Sequence, residues 1–262
     1  MLGTGTILNN QTTISTTSLA VATHTITAVY GGDTNFNGAT SAELSQVVGN
    51  ATLTVTANNT TRPFGEPNPE FTVTITGFVN GDPPSVVSGT PGFSTPATSS
   101  SPVGEYPIEV TEDSLAAANY DFTFVPGTLL ITSITPTITL TSSPNPSFFG
   151  NAVTFTATVP AAATGTVSFL DGTTTLDMVT ITGNTVTFTT SALAAGIHSI
   201  MALYSGDNNH EASTSNVVSQ VVITTTTTLS SNVNPQIQGL PVTFTAEVIP
   251  TPEGASCHRQ AP

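Results

Sequence analysis

Apolar and polar residues alternate along much of this chain, most clearly between residues 153 and 159. There Val153, Phe155, Ala157 and Val159 take every second position, with threonines between them. Because successive side chains of a strand point to opposite faces, this period of two predicts a strand with one buried face. The same pattern predicts strands at residues 52–57, 71–78, 106–110, 120–124, 127–132, 137–141, 166–170, 174–182, 184–190, 197–204 and 216–222. The fold class is therefore expected to be all-β.

The chain also repeats itself. Residues 13–48 align with residues 187–222 at many identical positions, and residues 145–157 align with residues 234–246. One complete unit consequently spans residues 136–223, and its short strands and turn signals match an immunoglobulin-like sandwich of about seven strands. The residues between the repeats show the same strand pattern with a different sequence, which indicates a second kind of module.

The repeats divide the chain into four regions arranged as a linear array of sandwiches. We expect the C-terminal part of one repeat, a different β module, a complete repeat and the N-terminal part of a further repeat, over residues 1–49, 50–135, 136–223 and 224–262. The short linker at 133–137 predicts an elongated particle, because it leaves little room for folding back.

The two terminal units are expected to be incomplete. After Gly254 the sequence reads ASCHRQAP, whereas the complete unit continues TVSFLDG after Gly165. We interpret this as a gene fragment or frameshift, so Cys257, His258 and Arg259 receive little functional weight. Missing strands leave unpaired edges that recruit other strands, which predicts disorder or self-association at both ends.

Charge excludes several classes of partner. The chain has 2 basic and 16 acidic residues and a formal charge of −14, and both basic residues are arginines, Arg62 and Arg259. Phosphate backbones and anionic membranes are bound through clustered Lys or Arg, so we expect no nucleic-acid binding and no electrostatic membrane attachment. No apolar stretch is long enough for a spanning helix, and residues 1–10 show no signal-peptide pattern.

Histidine and tyrosine occur at one equivalent position in each module. Gly196-x-His198 and Gly104-x-Tyr106 each follow a turn and open an apolar strand, and His24 is the repeat partner of His198. Sandwich domains often place a corner tyrosine there, whose hydroxyl bonds back to the chain. We therefore interpret His24 and His198 as corner residues rather than catalytic or metal-binding groups.

The most prominent polar cluster is the run from Asp207 to Glu211. Oxygen ligands on such a turn can hold calcium, which makes Asp207, Asn208, Asn209 and Glu211 a weak calcium candidate. The first copy reads Asp33-Thr-Asn-Phe-Asn37 and lacks the corresponding Glu, so turn chemistry is the favoured interpretation. Asp171-Gly172 is interpreted only as a hairpin turn.

Carboxylates of the middle module are the remaining candidates for acid and base chemistry. They lie in proline-rich contexts without tryptophan platforms for sugars, and a solvated acidic face is the favoured interpretation; they are Glu66, Glu70, Asp82, Glu112 and Asp113. The proline-rich segment 83–107 is expected to be a long loop with an edge strand. No catalytic residue, cofactor or metal is assigned.

The motifs also carry a family resemblance. VTFTATV, GTVSFLDG, LAAGIHSI and YSGDNN make residues 136–223 similar to bacterial Ig-like tandem repeats, and residues 50–133 resemble the mostly-β, glycine-containing MBG module through LTVTANNTTRPFGEPNPEF, VGEYPI and NYDFTFVPGTLLIT. The resemblance implies a segment of a large bacterial secreted or cell-surface protein, with neighbouring Ig-like domains as partners.

Two functions fit these features. The first is a non-enzymatic stalk or spacer, and the alternative is an adhesin-type module that binds carbohydrate or protein. An enzyme is disfavoured because no catalytic constellation is present.

Overall fold

The computed structural model describes residues 1–249, and its contacts divide the chain into two units at Thr132 and Ser133. Within the described residues the chain is all-β, with one short 3-10 turn at Pro84–Val86 and no α-helix. No helix of this part of the chain is long and apolar enough to cross a membrane. Cys257, His258 and Arg259 lie outside the described residues.

The first unit begins with an N-terminal segment, residues 1–48, that contains four short strands. They are β1 (Ala22–Ile26), β2 (Val29–Tyr30), β3 (Ala39–Thr40) and β4 (Leu44–Val48). β1 pairs antiparallel with β4, with His24 opposite Gln46, and β2 pairs antiparallel with β3. Most of these residues are exposed, because each pair forms a two-stranded sheet without a covering layer among the described residues.

The rest of the first unit is a two-layer domain of seven strands. They are β5 (Ala51–Ala57), β6 (Thr60–Pro63), β7 (Val73–Thr76), β8 (Gly92–Ser94), β9 (Gly104–Thr111), β10 (Tyr120–Val125) and β11 (Gly127–Thr132). One sheet has the order β10-β5-β7 and the other β6-β11-β9-β8. β10 runs parallel to β5 and β11 parallel to β6, so the last two strands of the domain return beside the first two. The sheets enclose a core that includes Val55, Ile108, Leu129 and Ile131.

The second unit contains the complete repeat as a two-layer sandwich. Its strands are β12 (Thr139–Ser143), β13 (Ser147–Phe148), β14 (Val153–Thr158), β15 (Thr166–Asp171), β16 (Thr174–Thr180), β17 (Thr185–Thr190), β18 (Gly196–Tyr204), β19 (Ser213–Thr214) and β20 (Val218–Ile223). One sheet has the order β12-β14-β17, and the other β13-β20-β18-β15-β16, with β19 added to β18.

Alternation places every second side chain of these strands in one core. Leu140 lies opposite Ala157 where β12 pairs with β14, and His198 lies opposite Gln220 where β18 pairs with β20. The core joins residues of both sheets, including Leu140, Phe155, Phe169, Ile200, Tyr204 and Val222. This burial of apolar area is the main stabilising contribution to the sandwich.

The second unit ends with a C-terminal hairpin, β21 (Thr226–Ser231) and β22 (Phe244–Ile249). Its strands pair antiparallel with Leu229 opposite Ala246, and they form a two-stranded sheet of their own. Leu229 and Phe244 are exposed, since no second layer covers them within residues 1–249.

The structure confirms the strands that alternation predicts and adds several that it does not. β14 lies inside the predicted 153–159 stretch, and β8 is the predicted edge strand of the proline-rich segment. The short strands β6 and β13 carry no alternation of their own, because each spans at most four residues at the edge of a sheet.

Candidate functional site

The loop from Asp207 to Glu211 connects β18 to β19 and is a tight, capped turn. The Asp207 amide donates to the His210 carbonyl at 2.8 Å, and Asp207 Oδ1 accepts from the amides of Asn209 and His210 at 2.8 and 2.9 Å. Its Oδ2 accepts from the Thr164 amide at 2.9 Å. Both carboxylate oxygens therefore satisfy backbone donors, as an aspartate at the start of a turn commonly does.

Gly206 makes the approach to this turn possible. Its φ is +78°, and an added Cβ would lie 2.8 Å from the Ala212 amide nitrogen. Gly32 in the N-terminal segment has φ +84° and the same crowding by the Gly38 amide nitrogen, at 2.8 Å. A side chain is thus excluded at this position in both copies.

Hydrogen bonding also sets the charge state of the turn. Burial alone would raise the pKa of Asp207, but the amides of Thr164 and Asn209, with Tyr204 and His210, lower it well below its ordinary value. Burial, followed by the neighbouring Asp207 carboxylate, raises the pKa of the Tyr204 phenol. Asp207 is accordingly ionised and Tyr204 neutral across the physiological range.

The other end of the loop holds the linker that enters the complete repeat. The Ile134 amide donates to the Asn209 carbonyl at 3.1 Å, and the Glu211 amide donates to the Ile134 carbonyl at 2.8 Å. Ser133 Oγ donates to Glu211 Oε1 at 3.2 Å, and Thr135 Oγ1 donates to Glu211 Oε2. We call residues 133–135 and 209–211 the linker clamp.

The first copy of the repeat separates the residues that form the turn from the residue that binds the linker. Asp33 Oδ1 accepts from the amides of Asn35 and Phe36 at 2.8 and 2.9 Å, so the same turn forms without the histidine and glutamate. His210 and Glu211 are therefore not required for the turn. In the complete repeat, Glu211 is the residue whose side chain holds the linker.

This arrangement bears on the calcium candidate. Asp207 faces backbone amides, Glu211 faces linker hydroxyls and Asn208 is exposed at the turn. Within residues 1–249, no group of three or more His, Cys, Asp or Glu side chains is arranged to hold a metal ion. The geometry favours the turn interpretation, because both carboxylates already have protein donors.

The corner interpretation is confirmed in all three modules. His24 Nε2, Tyr106 Oη and His198 Nε2 each donate to the carbonyl four residues earlier, of Ala20, Pro102 and Ala194, at 2.7, 2.9 and 2.8 Å. A histidine thus replaces the corner tyrosine with the same hydrogen bond.

The interpretation of Asp171 as only a hairpin residue is wrong. Asp171 does lie at the β15–β16 turn, but its Oδ2 is 2.6 Å from His198 Nδ1 and its Oδ1 accepts from the Ser199 amide at 3.1 Å. Asp171, followed by the Ala194 carbonyl, raises the pKa of His198, because both ring nitrogens donate best when the imidazole is protonated. The partners lie too far apart along the chain for local pattern to join them.

The acidic residues of the middle module do not form one cleft. Glu66, Glu70, Glu112 and Asp113 are exposed. Asp82 is half-buried, and its Oδ2 accepts from the Tyr120 hydroxyl at 2.7 Å. This is a structural contact between a loop and β10.

Arg62 is a residue whose role the sequence does not reveal. It is 3% exposed in β6, and its guanidinium donates to Asn68 Oδ1 at 2.8 Å and to the carbonyls of Pro63 and Thr98. Asn68 in turn donates to the Ala97 carbonyl at 2.7 Å. This buried guanidinium thus ties two loops to the sheet, and it is not presented to an anionic partner.

Family comparisons identify both complete domains. A model described as the MBG domain (YGX type) matches residues 53–130, and one described as the bacterial Ig-like domain (group 3) matches residues 140–223. The chain is thus built of all-β, Ig-like sandwiches. It contains an MBG domain followed by a bacterial Ig-like domain of group 3.

The comparison with solved structures finds similar chains of low sequence identity. The fibronectin(III)-like modules of Clostridium thermocellum CbhA are 22% identical over 32% of this chain and 93% of that chain, with a TM-score of 0.27. Murine CEACAM1b is 12% identical over 65% of this chain and 100% of that chain, with a TM-score of 0.29. No curated protein matches the chain.

Proposed function

We propose that this chain is a non-catalytic spacer of a bacterial secreted or cell-surface protein, in which sandwich domains are joined by a stiffened linker. MBG and bacterial Ig-like domains are typical of such proteins and are typically non-catalytic, which supports the class. A spacer keeps its neighbours apart best when the linkers between its domains resist bending, so the contacts of residues 133–135 bear on the proposal.

The linker clamp is the observation that carries the proposal. β11 ends at Thr132, and the next three residues are each bound to the 209–211 loop. Ser133, Ile134 and Thr135 are thus held against the Ig-like domain, whereas flexible linkers are solvated and make few contacts. Glu211 contributes a charge-assisted acceptor to two linker hydroxyls, which is stronger than a neutral one.

Backbone relaxation measured by NMR on the full chain tests this directly. We expect the amides of residues 133–135 to be as rigid as those of β18, with order parameters of about 0.85. Glu211→Ala should lower them toward the flexible range below about 0.6, while Glu43→Ala, a substitution at an exposed glutamate, should leave them unchanged. Flexible amides at 133–135 in the unmodified chain would contradict the spacer.

The adhesin alternative has its own readout. A spacer binds no glycan, so a glycan array probed with the full chain should remain blank. Reproducible binding at millimolar concentration or tighter, weakened by substitutions on the exposed acidic residues Glu66 and Glu70, would replace the spacer with a binding module.

A further inference from the structure

The N-terminal segment and the C-terminal hairpin are complementary parts of one sandwich. The strand pairs β1–β4 and β2–β3 have the register of β18–β20 and β18–β19, and β21–β22 has the register of β12–β14. The first therefore supplies late strands of a repeat and the second its earliest strands. Together they represent both sheets of the complete domain.

The faces that these strands would bury are open to solvent. Leu229 is 71% exposed and Phe244 67%, whereas their repeat partners Leu140 and Phe155 are 2% and 0% exposed. In the N-terminal segment Leu44 is 63% exposed. Adjacent apolar residues of this size that remain exposed mark a surface that binds another surface.

In the complete domain the corresponding strands are joined by a polar lock as well as by the core. The lock consists of Asn145 and Gln220. Asn145 Nδ2 donates to the Ser219 carbonyl at 2.8 Å, and the Val221 amide donates to Asn145 Oδ1 at 3.1 Å. Gln220, fully buried, donates from Nε2 to the Pro144 carbonyl at 3.1 Å.

Each terminal segment retains one half of this lock. Asn234 is the repeat partner of Asn145, and Gln46 is the repeat partner of Gln220. Both of these hydrogen bonds of Asn145 are to main-chain groups of β20. The same two bonds from Asn234 to β4 would therefore not depend on the side chains of β4. Both Asn234 and Gln46 are exposed, and thus accessible to a partner.

We propose that the N-terminal segment of one copy and the C-terminal hairpin of a second copy join into a shared Ig-like unit, so that copies of this chain associate head to tail. Charge opposes the contact only weakly, since the N-terminal segment contains two carboxylates, Asp33 and Glu43, and the hairpin one, Glu247. The contact is heterologous, and such a contact builds open chains of copies when the rotation does not close.

The short connections between the terminal segments and their neighbouring domains favour a second copy as the partner. Two residues separate β4 from β5, and two separate β20 from β21, which limits each terminal segment to a reach of roughly 7 Å from its own domain. Closure within one copy would require the start of the MBG domain and the end of the Ig-like domain to lie side by side. Association between copies has no such requirement.

The joined unit should be weaker than the complete domain. Within residues 1–249, neither terminal segment contains a counterpart of β15. In the complete core, Val167 and Phe169 of β15 are fully buried. We therefore expect reversible association, with the sedimenting mass of the 262-residue chain rising with concentration.

Cross-linking of two single-cysteine variants tests which segments meet. In the complete domain Ser147 of β13 pairs with Val222 of β20, and the repeat partners are Gln236 and Val48. The Val48→Cys and Gln236→Cys variants of the 262-residue chain, each carrying Cys257→Ser, should form a mixed disulfide dimer when combined and oxidised mildly. Only contact between copies can produce it.

The control shifts one cysteine out of register. Ser45→Cys is three residues from Val48, about 10 Å along the strand, which is beyond disulfide reach of Gln236→Cys. The proposal is supported if the first mixture cross-links and the second does not. It is overturned by equal yields, by no cross-link, or if a double variant with both cysteines forms only a disulfide within one copy.

The polar lock provides a second measurement. Asn234→Ala should weaken association about tenfold or more, because it removes two hydrogen bonds worth about 1 kcal/mol each. Asn119→Ala, at an exposed position just before β10 of the MBG domain, should leave it unchanged. Association that survives Asn234→Ala at full strength would show that the chains meet through another surface.

Discussion

The complete Ig-like domain and the two terminal segments form the same strand pairs with opposite degrees of burial. Phe155 of β14 is 0% exposed and its repeat partner Phe244 of β22 is 67% exposed, although both strands pair in the same register. The same holds for Gln220, which is fully buried in β20, and Gln46, which is exposed in β4.

This comparison separates two contributions to the fold. Register is set within each pair by the alternation of side chains and by turns such as the Asp33 and Asp207 loops, which are alike in both copies. Burial requires the opposite sheet, which comes from a distant part of the chain. Isolated two-stranded sheets are marginally stable, so we expect the terminal segments to be less stable than the complete domain.

Hydrogen exchange should show the largest difference between the two copies. In a dilute sample, the amides of Ile200 to Tyr204 are expected to exchange only through unfolding of the domain, because β18 is central in its sheet. Those of Ile26 to Tyr30 should exchange at least about a thousandfold faster, because local opening of an uncovered pair requires little free energy.

Equal protection of these two stretches in the dilute monomer would contradict the expected difference in exchange rate. It would mean that the N-terminal segment is stable without a second layer. Slower exchange of Ile26 to Tyr30 at high concentration is expected from association between copies, and the concentration series therefore distinguishes the two causes.

Core truncation is expected to give the next largest difference. Phe155→Ala should lower the free energy of unfolding of the complete domain by about 3–5 kcal/mol, because it leaves a cavity among buried side chains. Phe244→Ala should change the stability of a dilute sample by no more than about 0.5 kcal/mol, because that ring is mostly exposed.

Denaturant unfolding followed separately for each domain would measure both changes. A loss above about 2 kcal/mol from Phe244→Ala in the monomer would show that the hairpin packs on its neighbour. A small loss from Phe155→Ala would show that the core of the complete domain can collapse around the missing ring.

The sequence predicts individual strands and local hydrogen bonds better than it predicts contacts between residues that are far apart along the chain. Alternation locates β14, and the Gly-x-His pattern locates the corner residue His198, because both signals lie within a few neighbouring positions. The hydrogen bonds of Glu211 to the linker and of Asp171 to His198 join positions far apart along the chain. Local pattern contains no information about such contacts, and the same holds for the burial of Arg62.

The smallest expected difference concerns pH and the corner histidines. Within residues 1–249, His198 bonds to both Asp171 and the Ala194 carbonyl, whereas His24 bonds to the Ala20 carbonyl. The pKa of His198 is raised in the folded domain, so its protonated form stabilises the fold. This stabilisation is fully present below the unfolded pKa of about 6.5 and is lost as pH rises through the higher folded pKa.

Substitution of the carboxylate should remove the larger part of this pH dependence, because Asp171 is the first cause of the raised His198 pKa. Asp171→Asn keeps the shape of the side chain and removes its charge, so the stability of the complete domain should fall by about 1–2 kcal/mol below pH 6.5 and by less above the folded pKa. Asp177→Asn, an exposed change on β16, provides the control. Unfolding curves measured across this pH range would decide the matter. If the loss from Asp171→Asn is the same at every pH, the protonated imidazole of His198 gains no stability from the Asp171 carboxylate, and the expected difference between the two corner histidines is wrong.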